Sequence, residues 1–73
     1  MTVQLNSCGA DRPDRRAITK TIEEYADGMD HNLAAELTDI LVAGSPVEIE
    51  VTHNSSSAFR SLRKLDIDYE IQD

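Results

Sequence analysis

The side chains able to do chemistry in this chain are mostly charged, and they are unevenly distributed. Arg12, Arg15, Arg16 and Lys20 form one basic cluster, and Arg60, Arg63 and Lys64 form another. Between positions 21 and 59 there is no lysine or arginine, but there are eight acids. Clustered bases can grip a carboxylate, a phosphate group or a nucleic-acid backbone. They can equally be solvated surface charge, and Arg63 and Lys64 also suit the negative end of a helix dipole. No aromatic residue interleaves them, which disfavours base stacking and with it direct nucleic-acid binding.

The carboxylates cluster too. Glu48 and Glu50 alternate with Val47, Ile49 and Val51, and Asp66, Asp68 and Glu70 alternate with Ile67, Tyr69 and Ile71. Such a face could mimic nucleic acid toward a basic protein, or it could simply be a charged surface that discourages edge-to-edge aggregation. Acid–base catalysis would need a cleft that shifts carboxylate pKa values, and an open sheet face offers none. His31 and His53 fall near Asp27 and Asp30 in the expected fold, but their spacing matches no metal-binding pattern. Cys8, the single cysteine, has no evident base partner to make it a nucleophile. Ser55, Ser56 and Ser57 read as a helix start. No catalytic residue, metal site or cofactor is expected.

The elements that must position these groups follow from periodicity. Val47–Thr52 and Asp66–Ile71 alternate apolar and polar residues, as half-buried strands do. Between them Asn54 or Ser55 can cap a helix whose apolar face is Ala58, Phe59, Leu62 and Leu65. Thr2–Asn6 reads as a first strand with Val3 and Leu5 inward, and Ser7–Ala10 as a turn. Asp11 is the expected cap of a first helix with Arg12 and Pro13 in its first turn. Ile18, Ile22, Tyr25 and Met29 line that helix, and Gly28 is placed to end it. A second helix starts at Asp30 or Asn32. Leu33, Leu37, Ile40 and Leu41 form its expected buried stripe, with Glu36 and Asp39 in water.

Counting direction changes gives the topology. Two helices separate the first two strands and leave them antiparallel, and one helix separates the second and third and leaves them parallel. Charge supplies the order. Two acidic strands side by side would oppose like charges, whereas the first strand offers only Thr2, Gln4 and Asn6 to the open face. Placed centrally, it holds the acidic strands roughly 9–10 Å apart, twice the usual spacing. The expected architecture is a single α+β domain over residues 1–73: a three-stranded antiparallel sheet, order 2-1-3, with three helices on one face.

Composition bounds the rest. Seventy-three residues with a net charge of −7 make one small acidic domain, and one phenylalanine with no tryptophan leaves the core mostly aliphatic. A single cysteine cannot form an internal disulfide, which fits a reducing, cytoplasmic setting. There is no long apolar run to suggest a signal peptide or a membrane span. The expectation is a monomer or weak homodimer.

The element order and several short motifs resemble the carboxy-terminal domain of the bacterial ribosomal stalk protein, whose superfamily also holds the Clp protease adaptor. Gly9-Ala10-Asp11 is similar to the stalk domain's turn after its first strand. Ala17-Ile18-Thr19-Lys20-Thr21-Ile22 is similar to its Ala-Val-Ile-Lys-Ala-Val helix, and Ser45-Pro46 to the Ala-Pro before its second strand. In that family the first two helices bind translational GTPases, partly through lysines. Only Lys20 carries over, with Arg15 or Arg16 near the preceding lysine, and Asp30–Leu37 lacks the family's lysines. The resemblance implies a non-catalytic protein-interaction domain of adaptor or regulatory type, whose contact residues would be Arg15, Arg16 and Lys20 with Arg60, Arg63 and Lys64. The alternative is an acidic inhibitor or nucleic-acid mimic using Glu48, Glu50, Asp66, Asp68 and Glu70.

Overall fold

Val3 and Leu5 have no exposed surface, because the strand that carries them is covered on one side by helices and flanked on both edges by other strands. The computed structural model describes residues 1–72. The elements are β1 (Thr2–Cys8), α1 (Arg15–Tyr25), α2 (His31–Val42), β2 (Val47–Glu50), α3 (Ser55–Lys64) and β3 (Ile67–Ile71). The sheet is antiparallel throughout, in the order β2-β1-β3, as the charge argument requires. Gln4 stands between Glu48 and Glu70 in register and separates them. Helix α1 packs against both α2 and α3, while α2 covers β1 and β2 and α3 covers β3. Ile18, Ile22, Ala34, Leu41, Val51, Ala58 and Leu62 fill the space between the layers.

Several boundaries differ from those expected, each for a local reason. β1 continues to Cys8 because the register against β3 shifts between Leu5 and Ser7. A bulge there inserts one extra residue, so Cys8 pairs with Ile67 and turns toward the core. Gly9 N–H then bonds the carbonyl of Asp66 at 2.8 Å and holds the chain at sheet level. From there it must climb to the helix layer, roughly 10 Å away at ordinary layer spacing, which consumes Ala10 to Pro13. The cap of α1 is therefore Asp14, not Asp11: its carboxylate accepts from Ala17 N–H at 3.0 Å. Arg12 and Pro13 precede the helix. Helix α1 ends at Tyr25 with an extended Ala26 cap, so Gly28 (φ +66°) turns the chain between α1 and α2 rather than ending the helix.

β2 ends at Glu50, although Val51 stays buried and its N–H bonds the Met1 carbonyl at 2.9 Å. β3 begins at Ile67, because Asp66 occupies the left-handed turn (φ +59°) that leaves α3. Asn54 caps α3 with its backbone in the left-handed region and makes no side-chain cap bond.

The largest correction concerns α2. Its cap is Asp30, as one of the two expected options, but its buried residues are Ala34, Thr38 and Leu41. Leu33 and Ile40 are 42% and 44% exposed, and Leu37 is half-buried. Small side chains at Ala34 and Thr38 let α2 lie close to its neighbours, and of the expected stripe Leu33 and Ile40 face outward while Leu41 stays in the core.

Candidate functional site

Helices α1 and α2 run side by side and enclose an open groove of about 580 Å³. Thr19 and Thr38 belong to its lining, and both are buried. Thr19 Oγ1 donates to Thr38 Oγ1 at 2.8 Å, and Thr38 Oγ1 donates onward to the Ala34 carbonyl at 2.8 Å. This chain of hydroxyls satisfies both polar groups and fastens the two helices together. Neither threonine stands out from the sequence. The available signal was the run of small residues Ala34, Ala35 and Thr38 on one side of α2, which marks close helix approach.

The groove wall is charged. Arg15 Nη1 reaches Asp39 across the helix pair at 2.8 Å, with both side chains about two-thirds exposed. Arg16 and Lys20 line the same groove and make no ion pair among the described residues. Farther along, His31 Nδ1 lies 3.2 Å from Glu23 Oε2. That contact is exposed, and no hydroxyl or thiol of the described residues is bonded to it, so it lacks the relay of a nucleophilic site.

The structure thus gathers Arg15, Arg16 and Lys20 on one groove and leaves Arg60, Arg63 and Lys64 outside it, on α3. Arg63 Nη1 donates to the Tyr69 hydroxyl at 3.0 Å, and the Tyr69 ring stacks parallel on Phe59 with ring centres 4.9 Å apart. Arg63 and Lys64 occupy the last turn of α3, where the helix dipole favours positive charge.

Two acids of the open sheet face, Glu50 and Asp68, are tied to neutral side chains of β1. Glu50 accepts from Thr2 Oγ1 at 2.8 Å and from the amino-terminal ammonium group at 2.7 Å. These bonds, the amino terminus first and Thr2 second, hold its carboxyl below the usual range. Asp68 accepts from Asn6 at 3.3 Å and Glu70 from Gln72 at 3.0 Å. Asp66 lies off the strand in its turn, apart from Glu48, Glu50, Asp68 and Glu70.

Of the two histidines expected beside Asp27 and Asp30, only His53 pairs with one of those aspartates. His31 sits by Glu23, while His53 Nδ1 lies 3.4 Å from Asp27 Oδ1, and Asp30 is engaged as the α2 cap. Among the described residues no three histidine, cysteine or acidic side chains come close enough to share an ion. Cys8 Sγ donates to the Leu65 carbonyl at 3.4 Å. No helix of the described residues is long and apolar enough to cross a membrane. The chain matches no family model, no curated protein and no solved structure.

Proposed function

We propose that this domain is a non-catalytic protein-interaction module of adaptor or regulatory type, and that its partner docks on the α1–α2 groove. The observation that carries this reading is the pairing of a preformed groove with two cations on its wall, Arg16 and Lys20, that have no ion partner among the described residues. A partner supplying a carboxylate would complete both, and the threonine-fastened helix pair presents them with little rearrangement. The stalk-like element order and the match at Lys20 point to the same surface.

Charge reversal at Arg16 and Lys20 to glutamate, followed by affinity capture from native extract at low and high salt, tests it. The partner recovered by the wild-type chain is lost from the double variant, with about a tenfold to hundredfold loss of affinity. Equal recovery by wild type and variant excludes this surface. Capture of a basic nucleic-acid-binding protein that persists with the double variant, and is lost when Glu48, Glu50, Asp68 and Glu70 are neutralised, moves the function to the open sheet face.

A further inference from the structure

The two edges of the sheet are not alike. β2 has four residues, and the α1–α2 loop closes its far end: Asp27 N–H bonds the Glu50 carbonyl at 2.8 Å, and Thr52 Oγ1 bonds Asp27 Oδ2 at 2.6 Å. β3 has five residues and pairs only with β1. The Asp66 carbonyl bonds Gly9 and the Gln72 N–H bonds Thr2, so even-numbered positions of β3 face β1. Backbone direction alternates along a strand, so the N–H and C=O groups of Tyr69 and Ile71 project from the outer edge. The helix-side face of β3 is covered less and less along its length. Ile67 is buried, Tyr69 half-buried, and Ile71 is 53% exposed. On the open face the same strand carries Asp68 and Glu70, whose bonds come from neutral amides and leave the charge uncompensated.

We infer that the β3 edge binds an extended segment of a partner protein whose side chains alternate between basic and aliphatic. Such a segment would add a fourth strand through the backbone of Tyr69 and Ile71. Its lysines or arginines would stand beside Asp68 and Glu70, and its aliphatic residues would cover Ile71. Charge decides against a second copy of this chain in that position, because β3 against β3 sets Asp68 and Glu70 beside their own equivalents. This surface lies apart from the α1–α2 groove, and neither depends on the other.

The test uses the full chain and a synthetic peptide of about six residues, the usual strand length, with blocked ends and alternating lysine and valine. A control peptide has the same composition with its lysines and valines in two blocks. The alternating peptide binds more tightly than the control and slows amide exchange at Tyr69 and Ile71. Ile71→Pro removes one outward N–H without touching the β1 ladder and weakens binding by about tenfold or more. Ile71→Lys, which keeps the backbone donor but places charge at the aliphatic site, weakens it as well and serves if the proline variant does not fold. Equal binding of the two peptides, unchanged binding by a folded Ile71 variant, or a homodimer in sedimentation that Ile71→Lys dissolves would each overturn the proposal.

Discussion

Thr38→Val should destabilise the domain more than Thr19→Val, and the double variant should be more stable than Thr38→Val alone. Thr19 donates to Thr38, and Thr38 donates to the Ala34 carbonyl. Removing the Thr38 hydroxyl leaves the Thr19 O–H buried without its acceptor, a desolvation cost of about 1–3 kcal/mol. Thr19 can turn toward the carbonyl one helical turn earlier, as Thr21 does with Ala17, which places the cost at about 1–2 kcal/mol. Removing Thr19 instead leaves Thr38 still bonded to Ala34, so the loss is about 0.5–1 kcal/mol. Removing both leaves no orphaned hydroxyl, and two apolar groups of the same shape replace a satisfied pair at nearly no cost. Valine and threonine have similar helix propensity, so that contribution drops out. Urea unfolding of the four proteins measures the cycle. For a domain this small, 1 kcal/mol moves the thermal midpoint by about 4–8 °C, so the predicted differences are well resolved. Additive single-variant costs would refute the reasoning, because they would mean that the two hydroxyls are not coupled.

Asp14→Ala should cost about 1 kcal/mol through loss of the α1 cap, and Asp11→Ala should stay within about 0.5 kcal/mol, both read by thermal unfolding. Leu41→Ala should cost about 2–5 kcal/mol, whereas Ile40→Gln should be close to neutral in the same assay, although both residues belong to one apolar stripe in the sequence. The carboxyl of Glu50 is held below its ordinary value by the amino terminus and Thr2. The stabilisation it supplies is therefore present above the unfolded-state pKa and lost as pH falls through the lower folded-state pKa. An acid titration of stability should accordingly be shallower in Glu50→Gln than in the wild-type chain.

The strands and their order were legible because two independent signals agreed. Alternation placed Val3, Leu5, Val47, Ile49 and Ile67 on one face, and the neutrality of Thr2, Gln4 and Asn6 chose the central strand. The cap of α1 was less legible because Asp11 and Asp14 are chemically equal candidates. Only the bulge in β1, which keeps the chain on the sheet through Gly9, shows how far along it the helix can begin. The basic residues of the α1–α2 groove were visible in the sequence as a cluster, but it was not visible that they line a groove and that Arg60, Arg63 and Lys64 do not. The buried threonines escaped because burial of a hydroxyl depends on an acceptor contributed by another helix.

By itself, the amino-acid sequence determined the α+β class, the number and order of elements and the 2-1-3 sheet, because period and charge act locally or between neighbouring strands. The tertiary structure decided which side of α2 is buried, which strand edge stays open and which cations lack a partner. Those outcomes depend on how closely layers can approach and on groups far apart in the chain, and hydrophobic pattern alone carries neither kind of information.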